Sequence, residues 1–462
     1  MKLPRILPPA MRTYTAVWFG QMVSMIGTAL TDFGVGVWIY QKTGSAMPFA
    51  MVLLCMVVPG IVASPVAGAL ADRWDRRRTM VLSDAGAALS TLTMAALLFA
   101  GRLELWHILV AVSFASTCRA FQGPAWMAST AQLVPPEQLG RAGGMMNFGR
   151  AVAGIVGPAL GGVLVPTIGL ERVMMIDFAT FGVAVAILFA VRFPPMPRRA
   201  EPAEAKESVW KEATYGWRYV GSQPALRAHL LFFALVNLAL GYVWALHAPL
   251  VLGFAGPRSL GAVGSAMGCG LLAGSLAMTL WGGPRRKVSA ILGYGVLLGL
   301  CLVMIGARPW VPLVAAGIFG VTLGIPVMNG SLMALWLPRI PAEVQGRTYA
   351  VIQMLVWSTE PVAYLTAGVL ADRVFRPLLL PGGPLAGSLG ALMGTGPTRG
   401  IGLLLGVVGV FVLAATAWAA LLPHFRTADA IPLAAQPAAP AEPAAEEPAA
   451  DPVRVPAAPA PA

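Results

Sequence analysis

Runs of 20 or more mostly apolar residues, separated by short polar turns, recur along almost the whole of this 462-residue chain. A helix rising 1.5 Å per residue needs about 20 such residues to cross the hydrocarbon layer of a bilayer. By that measure the pattern predicts about twelve membrane-spanning helices: 14–40, 46–71, 79–99, 103–127, 142–166, 172–192, 227–252, 259–281, 288–307, 310–335, 348–371 and 400–423. The ninth and tenth are separated mainly by Arg308-Pro309. The longest connection, 194–226, is rich in Pro, Glu, Lys and Arg, and it divides the helices into two sets of six, 14–193 and 227–423. Within it, Val209 to Val220 is expected to lie at the membrane interface as an amphipathic helix anchored by Trp210, Trp217 and Tyr219. Residues 1–13 form a short basic terminus. No small-residue cleavage site follows, so the first helix is expected to stay in place as the insertion signal. Residues 424–462, mostly Ala and Pro, cannot bury a core and predict a disordered tail.

Composition supports lipid as the solvent. Apolar residues make up 57 % of the chain and charged residues 11 %, against about a quarter in a soluble domain. The net charge of +12 would suggest an acidic partner in a soluble protein. Here the basic residues cluster in short loops, without the dispersed basic and aromatic surface that binds nucleic acid, so no nucleic-acid partner is expected. With the N-terminus in the cytoplasm, 22 of the 32 Lys and Arg fall on cytoplasmic segments. Eight fall on outer loops (Lys42, Arg102, Arg172, Arg258, Arg308, Arg373, Arg376 and Arg399), and Arg119 and Arg150 lie within spans. That asymmetry predicts both termini on the cytoplasmic side of a bacterial inner membrane. Cys55, Cys118, Cys269 and Cys301 are scattered singly and read as packing residues, with no metal-ligand spacing. The chain has no Walker A sequence and no nucleophile with an evident base, so neither ATP coupling nor enzymatic catalysis is expected. Gly268-Cys-Gly270-Leu-Leu-Ala-Gly274 resembles a dinucleotide fingerprint, but it lies inside the eighth helix with no strand before it and reads as helix packing.

Three motifs carry a family resemblance. Between the second and third helices stands Gly68-Ala-Leu70-Ala71-Asp72-Arg73-Trp-Asp75-Arg76-Arg77-Arg78. The fourth contains Arg119-Ala-Phe-Gln122-Gly123, and the fifth Gly154-Ile-Val-Gly157-Pro158-Ala-Leu-Gly161-Gly162. The first resembles the G-x-L-A-D-R-x-G-R-R/K loop of the major facilitator superfamily, with Asp75 where Gly is usual. That departure resembles the branch of multidrug, macrolide and siderophore exporters. The second resembles the superfamily's R-x-x-Q-G, and the third its antiporter motif with one residue fewer before Gly-Pro. A shared register of 206 residues also links the halves: Glu137-Gln-Leu-Gly140-Arg141 with Glu343-Val-Gln-Gly346-Arg347, and Gly162-Val163-Leu164 with Gly368-Val369-Leu370.

The resemblance implies two six-helix bundles around a central cavity that faces each side in turn. It implies that Gly68, Asp72, Arg73, Arg76 and Arg77 latch the halves together on the cytoplasmic side, with Asp72 at the start of the eleventh helix. Setting topology is the alternative for these arginines. It assigns Arg119 and Gln122 to proton coupling or substrate contact; an Arg bonded to backbone carbonyls is the alternative. Gly154, Gly157, Pro158, Gly161 and Gly162 are expected to let helices cross closely. The remaining candidates follow from charge inside spans: Asp32 and Glu360 as proton carriers or cation sites, with local hydrogen bonding as the alternative. Asp84 and Asp177 lie nearer predicted helix ends, where water access or capping is the simpler expectation. His247, close to the outer end of the seventh helix, reads as an interfacial polar residue, with a relay as the alternative; Asn237, Asn329 and Gln21 are weaker candidates for a cavity wall. Tryptophans 18, 126, 244, 336 and 357 are candidates to bind a flat apolar substrate, with interface anchoring or packing expected for most.

The expectation is a monomeric proton-driven exporter of a small, fairly hydrophobic compound, surrounded by membrane lipid and using the proton gradient rather than a cofactor. A facilitator, symporter or lipid translocator of the same fold is the first alternative. A membrane sensor or assembly partner without transport is the second.

Overall fold

A computed structural model describes residues 9–71, 74–191, 218 and 220–430. Among them are twelve long helices: α1 (Pro9–Thr43), α2 (Ala46–Ala71), α3 (Arg76–Phe99), α4 (Leu105–Leu133), α5 (Leu139–Ile168) and α6 (Leu170–Ala190) in the first half. The second half has α7 (Pro224–Leu252), α8 (Pro257–Trp281), α9 (Lys287–Ala307), α10 (Val311–Trp336), α11 (Ala342–Val369) and α12 (Arg399–Leu421). Ten of these pass a length-and-hydropathy criterion for membrane spans; α4 and α11 do not. Those two carry Arg119 with Gln122, and Glu360. We call the face where α1 begins proximal and the face where it ends distal.

Helix boundaries follow local chemistry. Asp75, in extended backbone, accepts a hydrogen bond from the Arg78 amide at 2.8 Å and so caps α3. The departure from the superfamily's Gly therefore supplies an N-cap. Gly169, at φ +87°, allows the turn between α5 and α6, and Gly282, at φ +73°, ends α8 in the left-handed conformation. Several helices run beyond their apolar cores. α1 starts at Pro9 rather than 14, α4 ends at Leu133 rather than 127, and α11 starts at Ala342 rather than 348. A helix satisfies its own backbone outside the hydrocarbon too, so hydropathy underestimates its length.

Small residues set the packing. A Cβ on Gly157 would stand 2.5 Å from that of Ala29, and one on Gly161 2.6 Å from Phe33, so α5 lies directly on α1. The other side of α5 meets α8 of the opposite half. A Cβ on Gly261 would lie 2.5 Å from the Pro158 carbonyl oxygen, and one on Gly268 2.9 Å from the Gly154 carbonyl. Without a hydrophobic drive between helices in lipid, such close van der Waals contact is what holds a crossing together. Gly270 and Gly274 pack on α10 at Phe319 and Leu323, which accounts for the glycine run in α8.

The halves touch at their distal ends. Gly162 meets Gly261, and Gly368 of α11 lies against Met47 of α2. Towards the proximal face α5 stands clear: among the described residues nothing lies within 4 Å of a Cβ placed on Gly140, Gly143 or Gly144. Among the described residues, then, the halves meet distally, and α5 parts from the other half proximally.

Two sequence expectations are corrected here. Arg399, assigned above to an outer loop, begins α12 and is buried at 4 % exposure. Its Nη2 donates to the Gly306 and Ala307 carbonyls at 2.8 and 3.2 Å, where α9 ends with unpaired acceptors. The tail expected to be disordered from 424 is corrected at its start: Pro423–Arg426 is helical, and Phe425 is buried and stacks on His229 at 3.8 Å, because an apolar ring there finds a core to enter. The rest of the tail, from 431, lies outside the described residues, as do 1–8 of the basic terminus and most of the linker helix expected at 209–220.

Candidate functional site

Within the proximal half of the first bundle lies a cavity of about 490 Å³. α1 supplies Trp18, Gln21, Met22, Met25 and Asp32; α3 supplies Asp84; α4 supplies Arg119, Gln122 and Trp126; α5 supplies Arg150 and Gly154; α6 supplies Phe181. A second cavity of about 360 Å³ lies between the halves, with Arg119 from one and Glu360 from the other on its wall. The guanidinium-bearing residue of α4 thus borders both spaces. Of the polar candidates read from sequence, Asp32, Arg119 and Gln122 come together in the first cavity, and Arg119 and Glu360 in the second.

Asp84 corrects the sequence reading. It sits two turns inside α3, is 1 % exposed as a residue, and accepts hydrogen bonds from Gln21 Nε2 at 3.0 Å and Gln122 Nε2 at 2.5 Å. Gln122 Nε2 also approaches Gln21 Oε1 at 2.8 Å. The carboxylate therefore ties α1, α3 and α4 together on the cavity wall instead of capping a helix end. Neutral amide donors satisfy the carboxyl without bringing an opposite charge, so Asp84, when ionised, offers that charge to a cation in the cavity.

Asp177 is likewise misplaced by the sequence reading. It is 1 % exposed and accepts from Thr91 Oγ1 at 3.2 Å and Thr28 Oγ1 at 3.5 Å, bonding α6 to α3 and α1 behind the cavity wall. A single sequence shows an acid near the edge of an apolar run; only the crossing of three helices shows that it is interior. Gln21, named from sequence among the weaker wall candidates, does line the cavity.

The weaker wall candidates divide. Trp18 and Trp126 line the cavity; Trp18 Nε1 donates to the Met145 carbonyl at 2.7 Å, and Tyr14 stacks on Trp126 at 5.6 Å. Trp336 is buried in the core of the second half, and Asn237 turns back onto the Phe233 carbonyl. The His247 ring bonds the Val243 carbonyl at 3.0 Å. Asn329 is exposed and borders neither cavity, and Trp244 packs on the second half's core. The side chain of Trp357 lies outside the described residues.

Among the loop residues, Asp72 and Arg73 lie outside the described residues, and Gly68 stands in the last turn of α2. Arg76 Nη1 donates to the Ala128 carbonyl at 2.7 Å and to Gln132, near the end of α4. Arg77 Nη2 donates to the Phe189 carbonyl at 2.7 Å, at the end of α6. Cations at helix C-termini complement the dipole there. In this form the two arginines brace three proximal helix ends of their own half.

This arrangement can be set beside known proteins. The sequence model described as Major Facilitator Superfamily matches residues 17–359. The chain belongs to the major facilitator superfamily. Macrolide efflux protein A of Streptococcus pyogenes is 27 % identical over 372 residues, covering 79 % of this chain and 90 % of that protein. The multidrug efflux pump Tap of Mycolicibacterium fortuitum is 27 % identical over 388 residues, covering 79 % and 92 %. Among solved structures, an inward-facing bacterial homolog of the human lysosomal transporter Spinster superposes with a TM-score of 0.66 at 15 % identity, covering 92 % of this chain and 98 % of that one. The nucleoside transporter NupG gives 0.67 at 9 % identity, over 88 % and 99 %. Those structural likenesses establish the fold, a multi-pass major facilitator bundle.

Proposed function

We propose that this chain exports a small, fairly hydrophobic compound across the bacterial cytoplasmic membrane by proton antiport with alternating access. The proximal face would be cytoplasmic, a reading that the excess of Lys and Arg on that side supports. The observation that carries the reading is the composition of the larger cavity. Trp18, Met22, Met25, Trp126 and Phe181 offer an apolar and adaptable wall, while Asp32, Asp84 and Arg119 place charge inside it. Charge in a membrane interior is costly unless it is paired or hydrated, so where it is kept it marks a path for ions or substrate. The 27 % identity to proteins named for macrolide and multidrug efflux supports the same direction and substrate class.

In this scheme Asp32 and Glu360 accept the incoming proton, and Asp84 with its two glutamines holds a cationic group on the substrate. Arg119, between the two cavities, senses the charge on either side. Protonation changes the charge balance of the cavity and with it the preference between the two forms. A proton crossing 100 mV supplies about 2.3 kcal/mol, with any pH gradient adding to it. The protein would work as a monomer in lipid, with no cofactor beyond the gradient.

The test is proton flux in liposomes holding the purified protein, an internal pH dye and a panel of lipophilic cations. Substrate-triggered proton movement, lost in Asp32→Asn while the protein still folds, is expected. Compound movement without proton movement would overturn antiport and leave a facilitator.

A further inference from the structure

The sequence Gly68-Ala-Leu70-Ala71-Asp72-Arg73 at the proximal end of α2 recurs as Gly368-Val-Leu370-Ala371-Asp372-Arg373 at the distal end of α11, identical at five of six positions. α2 and α11 pack on each other across the two halves, and they run in opposite directions through the fold. The described start of the first copy, Gly68–Ala71, ends α2 proximally, whereas the second copy ends α11 distally. The second copy has a defined contact. Asp372 accepts from Ser45 Oγ at 2.6 Å, from the Met47 amide at 2.9 Å and from the Ala46 amide at 3.3 Å. These groups begin α2. A carboxylate of the second half thus caps a helix of the first.

Three further features hold it there. α11 passes into a π-helical stretch, Leu370–Phe375, which includes Asp372; such widened turns recur at functional positions. Gly368, one turn earlier, lies so close to α2 that a Cβ would stand 2.8 Å from Met47 Cα. Arg376 Nη1 adds a contact to the Gly44 carbonyl at 3.4 Å, in the turn just before α2.

We propose that Asp372 is a distal gate latch: its cap on the N-terminus of α2 holds the halves together in the proximally open form and must be released before the cavity can open distally. The free amides and positive dipole end of α2 favour a carboxylate at this place. Among the described residues no group of the first half accepts from the Ala46 or Met47 amide, so the bond reports the approach of the two halves directly. Separating the distal ends exposes the amides to water, which re-solvates them and lets the cycle proceed.

The test is a distance measurement needing no substrate, so failure of the export reading would leave it intact. Spin labels go on Gln41→Cys and Ala391→Cys, two exposed distal positions in opposite halves, in full-length protein whose four native cysteines are replaced. Pulsed dipolar spectroscopy in nanodiscs then gives the ratio of long to short distal distances. Asp372→Ala is expected to raise that ratio about two- to five-fold, the shift implied by losing one charge interaction at a helix end. Ser45→Ala, which removes the hydroxyl and spares the amides, is expected to shift it in the same direction by less. An unchanged or shortened distance distribution in Asp372→Ala overturns the proposal. Where that variant fails to fold, Asp372→Asn and Ser45→Ala decide: no lengthening in either overturns it.

Discussion

At the scale of single residues, the cavity's chemistry depends on how Asp84 is held. Two glutamine amides, from helices on either side, satisfy the carboxylate without cancelling its charge. Asp84→Asn keeps an acceptor for these donors, so the fold should survive. If the substrate is a lipophilic cation, its affinity should fall about tenfold, the equivalent of about 1.4 kcal/mol, in a binding titration on purified protein. Asp177 makes a contrasting case, since it lies behind the wall and bonds helix to helix. Asp177→Ala leaves the Thr28 and Thr91 hydroxyls facing an empty acceptor site and should cost about 1–3 kcal/mol, read as a lower thermal midpoint in detergent. These two acids also mark a limit of sequence reading. Asp32 and Glu360 stand out in one dimension because apolar residues flank them for several turns. Asp84 and Asp177 lie nearer the edges of their runs, and their burial arises from neighbouring helices that no local pattern identifies.

At the scale of helices, much was legible because lipid imposes a length and an apolar content on anything that crosses it. The short polar break at Arg308-Pro309 separated α9 from α10 at the right place, and the glycines of α5 announced close crossings. Which neighbour each glycine meets was not legible, since Gly157 and Gly161 face α1 while Gly162 faces α8 one residue later. Gly157→Leu should overpack the α1 contact and destabilise the protein by about 1–3 kcal/mol, checked by thermal unfolding. The cap on α3 makes a second test at this scale. Asp75→Ala should cost about 1 kcal/mol through loss of the bond to the Arg78 amide, and Asp75→Gly only a few tenths. Asp75 reads in sequence as a departure from a motif; the structure shows a local reason for it in the start of α3.

At the scale of the whole molecule, the described parts of the two halves meet distally while α5 stands clear proximally, and the proposed alternating access requires that relation to reverse. A link between Ile155→Cys of α5 and Ser265→Cys of α8, where the native Ser265 Oγ donates to the Ile155 carbonyl at 3.1 Å, should fix this form. Oxidation or a short bis-maleimide should abolish flux in liposomes, and reductant should restore it for the disulfide. A complementary variant acts from the open side. Gly143 has free space around it here, so Gly143→Leu should leave thermal stability almost unchanged while slowing flux, if the proximal ends must close over that position.

The distal seam between Gly162 and Gly261 has one more implication. Ordering a Leu or Met side chain costs from about 0.5 to 2 kcal/mol in rotamer entropy, whereas glycine has no side chain to order. Along this stretch the halves meet backbone to backbone, so they can come together and separate without restricting rotamers at the contact. The balance between the two forms then falls to a few polar contacts at the same face and to whatever occupies the cavity. A seam of this kind makes the equilibrium responsive to single hydrogen bonds, and so to the gain or loss of one proton.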